Sequence, residues 1–237
     1  MTPLDRRAFL RMGGSSLAAA LLAACNSRGP SEAKGLLRWA ERRNESVERA
    51  LFRRSSLDTP ESRVLAGPAI PSYHISRAVP VWDERTRGPW TLEVTGLVRR
   101  PLRLTLPELM RLPRVTQRVD HYCVEGWTAV TEWTGVRMST LADAAGVLPE
   151  AKYVDFDSFD SGYHESWDRE SALHRQTLVA YGREGVQLPP AYGAPARLHS
   201  PVKLGYKCTK YLTRIVFLPH RNGGYWSDRG YEWYGGV

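Results

Sequence analysis

Cysteine is scarce: three residues in 237, at positions 25, 123 and 208. No Cys-x-x-Cys pair and no His-Glu-x-x-His run occurs, which leaves zinc without a ligand set. Cys-x-x-Cys-His is missing as well, and no Gly-x-Gly-x-x-Gly follows a strand pattern, so signatures for haem, flavin and nicotinamide are lacking. There is no long apolar run. Met12 to Ala24 spans about 13 residues, too few to cross a hydrocarbon layer of roughly 30 Å as a helix. No Lys/Arg block follows residue 30 and no nucleic-acid module is recognisable, so the net charge of +8 does not indicate nucleic-acid binding.

What is present is ordinary globular material, 42% apolar and 24% charged, of a length that suits one domain of moderate size. Eight Trp and eleven Tyr are many for this length, and such rings favour strands and pockets for flat ligands. Residues 1–25 carry Arg6, Arg7 and Arg11 against Asp5, which is +2 of the +8, leaving +6 on the remainder. A surface of that sign attracts anionic ligands.

The first 25 residues read as an address. Arg6-Arg7-Ala8-Phe9-Leu10-Arg11 matches a twin-arginine export signal, and Leu22-Ala23-Ala24-Cys25 resembles a lipobox. The twin-arginine route carries folded proteins and suits a cofactor inserted before export. Lipidation of Cys25 would tether the chain to a membrane, which places it in the periplasm or on the outer face of a membrane. Residues 26–43 form a tether and the start of an amphipathic helix. That helix runs over 36–53, with Leu36, Leu37, Ala40, Val47, Ala50 and Leu51 roughly on one face.

Residues 44–237 form the main domain. Pro60, Gly67, Pro68 and Pro71 mark an extended stretch. Alternating polarity predicts strands at 90–98, 115–123, 153–156, 177–181 and 211–218. Thr105 caps a short helix with Glu108 three residues on, and Met138–Ala145 forms another that Gly146 closes. Several strands with short helices and no regular βαβ rhythm predict an α+β fold with mixed sheets.

Landmarks within this domain resemble the sulfite-oxidase-like molybdopterin oxidoreductases, a family that includes periplasmic methionine-sulfoxide reductase catalytic subunits. In order they are Tyr73-His74, Cys123-Val124-Glu125-Gly126-Trp127, the 152–158 segment ending at Ser158, Leu188-Pro189-Pro190, Gly193 to Leu198, Gly205 to Tyr211 and Gly224-Tyr225-Trp226. The resemblance implies a sulfite-oxidase-type fold and a molybdenum–molybdopterin cofactor. It implies that Cys123 binds the metal and that Ser158, Arg197, Cys208, Thr209 and Lys210 hold the pterin. Tyr73 and His74 correspond to a further contact loop. Tyr192 and Pro71 stand where relatives carry Asn. The chain is too short for the dimerisation domain of full sulfite oxidases, which implies a monomer.

The chemistry is consistent with these residues. The cofactor performs the redox step, and one protein thiolate fixes the metal while leaving positions open. Gly126 lets backbone approach a bulky ligand. Arg197, Lys203, Lys207 and Lys210 lie within fourteen residues, as a phosphate grip or as lysines guarding a strand edge. Trp127 and Tyr73 are candidate walls of a catalytic mouth; Trp226, Trp233 and Tyr234 are expected to cover the core. His121 shares a strand face with Cys123 as a donor behind the metal or as a packed histidine.

Two functions follow. One is oxygen-atom transfer on a small sulfur- or nitrogen-containing substrate, with electrons exchanged with an external carrier; a membrane-bound donor suits a tethered enzyme. The other is a metal-free lipoprotein that binds a ligand or partner, with Cys123 bonded to Cys208.

Overall fold

The computed structural model describes residues 31–51 and 70–237. The export signal, Cys25, and the stretch containing Pro60, Gly67 and Pro68 lie outside those residues. The chain divides into two compact units, Met1–Ala50 and Leu51–Val237. The first is described through one helix, α1 (Ser31–Leu51), so residues 31–35, expected as tether, are already helical. Ion pairing one turn apart supports it: Arg49 meets Glu45 at 2.8 Å, and the Asn44 amide donates to Glu48 at 3.1 Å. Among the described residues no helix is long and apolar enough to cross a membrane.

The second unit contains helix α2 (Glu84–Arg87), strands β1 (Thr91–Gly96) and β2 (Leu102–Thr105), helix α3 (Leu106–Arg111), and strands β3 (Arg114–Tyr122) and β4 (Thr128–Arg137). Helix α4 (Met138–Ala145), β5 (Tyr153–Ser158), β6 (His164–Asp168), α5 (Arg169–Ala172), β7 (Leu178–Arg183), β8 (Val186–Gln187), β9 (Arg197–His199) and β10 (Leu212–Leu218) follow. One sheet has the order β2-β1-β10-β5-β6; the other runs β3-β4-β7-β8, with β9 also pairing with β7. The β1–β10 pair is parallel, aligning Glu93 with Arg214 and Thr95 with Val216, and the others are antiparallel. Mixed sheets with short helices are what the strand rhythm predicted.

Alternation explains the core. Leu92 and Val94 on β1, Val154 and Phe156 on β5, and Ile215 and Phe217 on β10 share one buried cluster. Met138, Leu141, Ala142 and Ala145 enter the same cluster from α4, at the i, i+3, i+4, i+7 spacing of one helix face. Each of the large side chains among them stabilises the fold by about 1.5–3 kcal/mol through lost water contact. Val119, Ala129, Trp133, Leu178 and Ala180 form a second cluster from the β3-β4-β7 sheet. At α3 the Glu108 carboxylate accepts from the Thr105 N–H at 2.8 Å and its hydroxyl at 2.7 Å, closing the expected cap.

Candidate active site

Strand β3 ends at Tyr122, and the next five residues turn the chain into β4. The Gly126 N–H donates to the Cys123 carbonyl at 3.0 Å, and the Cys123 N–H donates to the Trp127 carbonyl at 2.9 Å. Cys-x-x-Gly is therefore the tip of a β-hairpin, with Cys123 held by the rigid pair behind it. Gly126 has φ 87 and a Cβ there would meet nothing within 4 Å, so its visible requirement is backbone conformation and not close approach.

Cys123 opens on a cavity of about 430 Å³ whose walls include Tyr73, His74, Ser158, Cys208, Lys210 and Tyr211. Six of the expected contact residues, Tyr73, His74, Cys123, Ser158, Cys208 and Lys210, thus come together from four separate stretches of chain. The two cysteines are not bonded to each other. Two buried polar atoms at the wall have no hydrogen-bond partner, His74 Nδ1 and the Tyr211 hydroxyl. Such orphans are costly unless a ligand satisfies them. Tyr211 also has φ 57, a left-handed conformation that costs a side-chain-bearing residue about 1–2 kcal/mol.

Glu125, two residues past Cys123, gathers the mouth. Its Oε2 accepts from the Tyr73 hydroxyl at 2.8 Å and from Trp127 Nε1 at 2.9 Å, and lies 4.0 Å from Cys123 Sγ. The bonds from Trp127 and Tyr73 hold the Glu125 carboxyl below its usual range, and the same bond raises Tyr73. Trp127 is not on the cavity wall, so the expected role as a wall passes to Glu125, which Trp127 positions. Burial, first, and then the Glu125 charge push the Cys123 thiol up, with backbone N–H groups pulling the other way. The protein alone does not favour a free thiolate here, as a nucleophilic cysteine would need. A metal bound there would supply that stabilisation.

Asp160 pins the first contact loop. It accepts from the Ile75 N–H at 2.7 Å, the Ser76 N–H at 2.9 Å and the Ser76 hydroxyl. Tyr225, Trp226 and Tyr231 reach the same cavity from the C-terminal tail. Trp226 is therefore a wall residue and not core cover, whereas Trp233 and Tyr234 are buried as expected. Sequence reasoning missed Asp160, Tyr211 and Tyr231; the positive-φ Tyr before β10 leaves no trace in composition or pattern.

The cationic stretch splits in two. Lys203 pairs with Asp168 at 3.2 Å and Lys207 with Glu165 at 2.5 Å, all four buried, so neither lysine is free to grip a phosphate. Arg197 is also buried, but its donors go to the Leu198, Tyr192 and Cys208 carbonyls at 3.3, 3.1 and 3.3 Å. It stands behind the wall, as does buried Thr209, whose hydroxyl has no partner. Lys210 Nζ donates to the Tyr73 and Ala191 carbonyls at 2.8 and 3.1 Å, and burial with the nearby Arg197 brings it down to about 7. His121 is a packed histidine: its Nδ1 faces His199 Nε2 at 3.3 Å, and burial with Arg197 and Lys210 nearby lowers it to about 3.

Residues 77–226 match the model of the oxidoreductase molybdopterin binding domain. The chain belongs to this family. It is 37% identical over 98% of its length to a putative protein-methionine-sulfoxide reductase subunit YedZ1 of Azospira oryzae, covering 87% of that protein. It is 37% identical over 69% of its length to the protein-methionine-sulfoxide reductase catalytic subunit MsrP of Gluconobacter oxydans, covering 58% of it. Among solved structures, the sulfane dehydrogenase SoxCD of Paracoccus pantotrophus aligns with a TM-score of 0.52 and 27% identity, over 55% of this chain and 38% of that one. The chain is thus a molybdopterin-dependent oxidoreductase of the sulfite-oxidase fold. Its residues fit the cofactor: the cavity offers unpartnered polar atoms, a lysine and the Cys123 thiol to a flat, polar, anionic ligand. Among the described residues no group of three His, Cys, Asp or Glu could hold a metal ion.

Proposed function

We propose that this oxidoreductase binds molybdenum through Cys123 and moves an oxygen atom between water and a small sulfur- or nitrogen-containing substrate. The observation that carries the reading is the half-buried Cys123 thiol at a rigid hairpin tip, facing a cavity whose wall includes unpartnered polar atoms. The cofactor, when bound, supplies two-electron oxygen-atom transfer. Cys123 anchors the metal, and Tyr73, His74, Ser158, Cys208 and Lys210 hold the pterin. Arg197 and Thr209 support that wall from behind. Glu125, braced by Tyr73 and Trp127, shapes the opening through which substrate passes.

Relatives named as methionine-sulfoxide reductases favour the reductive direction with a sulfoxide as substrate. The balance is then one sulfoxide, two electrons and two protons giving one sulfide and one water. The electrons come from an external carrier, and a membrane-bound one suits a chain tethered by lipid at Cys25 after twin-arginine export. We read the protein as a monomer at the outer face of a membrane or in the periplasm.

The test is metal and pterin analysis of protein expressed with residues 1–25 intact. About one molybdenum per chain, lost in Cys123→Ser, supports the enzyme. Metal-free protein with a Cys123–Cys208 bridge supports a binding lipoprotein instead. Loaded protein is then assayed against sulfoxides, N-oxides and sulfite with a redox dye as electron carrier; turnover of sulfite but of no sulfoxide would reverse the proposed direction.

A further inference from the structure

Three large apolar side chains that line the cavity, Tyr73, Val124 and Tyr231, are also exposed, by 52%, 47% and 41%. They come from separate parts of the chain: the first contact loop, the tip of the β3–β4 hairpin and the C-terminal tail. Apolar residues scattered over a surface mean little, but three gathered round one opening mark a place where a ligand covers them. Val124 is the telling case. A hairpin tip ordinarily takes small or polar residues, and here a β-branched apolar one stands half in water next to Cys123.

The tail side of this rim is held in place. The Tyr231 N–H donates to the Trp226 carbonyl at 3.1 Å. The Tyr231 ring lies 5.1 Å from the Trp226 ring and 5.5 Å from the Tyr206 ring, centre to centre. The Tyr206 hydroxyl donates to the Glu232 carbonyl, one residue further along. Tyr225 packs edge-on to Trp226 at 5.2 Å and stacks on Tyr163 at 5.6 Å, so a continuous row of rings follows the cavity wall from Tyr231 to Tyr163. The Tyr73 hydroxyl is likewise fixed, donating to Glu125 at 2.8 Å. Rings held in this way lose little freedom when a ligand covers them.

We propose that Tyr231, with Val124, determines specificity: the two cover the apolar group next to the reacting sulfur, so that sulfoxides with a bulky apolar substituent are preferred to small or ionic substrates. The inference rests on the oxygen-atom-transfer reading for the reaction itself. Sulfur and hydrocarbon groups pack favourably against aromatic rings, whereas a hydrated anion such as sulfite gains nothing from a half-exposed tyrosine and a valine. The preference is a difference between substrates, so it is read from their relative kcat/KM and not from the rate of any one of them.

The experiment compares methyl p-tolyl sulfoxide with dimethyl sulfoxide in loaded protein, with a redox dye as electron donor. Tyr231→Ala should lower kcat/KM about tenfold for the tolyl sulfoxide and less than about twofold for dimethyl sulfoxide. Tyr231→Phe should keep the preference, because it keeps the ring, and Val124→Thr should weaken it in the same direction by a smaller factor. Circular dichroism and pterin per chain check that the variants fold and load; should Tyr231→Ala do neither, Val124→Thr carries the comparison. An equal loss for both sulfoxides, or no loss for either, overturns the proposal. If the unmodified protein turns over neither sulfoxide, the oxygen-transfer reading fails, and quenching of tryptophan fluorescence by methyl p-tolyl sulfoxide then decides the rim alone. Binding weakened in Tyr231→Ala keeps the rim as the cover for an apolar group, and equal binding or none removes it.

Discussion

Lys203 and Lys207 each end on a buried carboxylate, whereas Arg197 and Lys210, from the same fourteen-residue stretch, end on backbone carbonyls. The first two also fasten the C-terminal tail: Lys203 Nζ donates to the Tyr234 carbonyl at 2.6 Å and lies 3.4 Å from the centre of its ring. Their charge is balanced inside the fold, and the fold depends on it. Among the described residues neither Arg197 nor Lys210 forms an ion pair with a carboxylate, and Lys210 lies on the cavity wall. Cations repeated within a few positions thus serve stability in one pair and, on the proposed reading, ligand binding in the other.

Cutting a tail pair should show the largest effect on stability. Lys207→Met leaves Glu165 buried without its cation, which costs about 3–5 kcal/mol, a fall of roughly 10 °C in Tm by calorimetry. Below the transition, pterin content should hardly change. Lys210→Met should do the reverse: pterin lost at least about tenfold faster, but metal-free stability altered by less than about 1 kcal/mol, because removing a buried cation offsets the two lost hydrogen bonds.

The contrast also has a pH signature. Lys210 has its folded pKa depressed from 10.5 to about 7, so the metal-free fold carries an unfavourable charge below about 7. From there to about 10.5 the unfolded chain binds a proton that the folded chain does not, so stability rises with pH across that window. Lys203, lowered to about 8 chiefly by burial, adds in the same direction over a narrower window. Denaturant melts on both sides of neutrality should show the rise in the metal-free protein, and Lys210→Met should reduce it. The smallest effect belongs to Glu125→Gln. It loosens the Tyr73–Trp127 brace, and a modest rise in KM with unchanged metal content is expected.

Much of this was legible in the sequence, and the failures have physical reasons. β1 and β10 showed themselves by alternation, and α4 by its spacing and closing Gly146. β4 did not, because three of its inward positions, Ala129, Thr131 and Gly135, are too small or polar to mark a core face, leaving Trp133 by itself. β6 did not either: Glu165, Ser166, Trp167 and Asp168 are all buried, and its two acids are tolerated only because Lys207 and Lys203 neutralise them. Those partners lie 42 and 35 residues away, beyond any local pattern. For the same reason the run of four cations could not be divided by reading alone. The site's motif residues were recognised through family likeness, but Asp160 holding the 75–76 backbone from 85 residues away was not.

The most direct test of the central claim is X-ray absorption at the molybdenum edge, counting sulfur neighbours in the loaded protein and in Cys123→Ser. The count should fall by one sulfur in the variant as an oxygen or nitrogen neighbour replaces it. An unchanged sulfur count in loaded Cys123→Ser would contradict Cys123 as the metal's anchor.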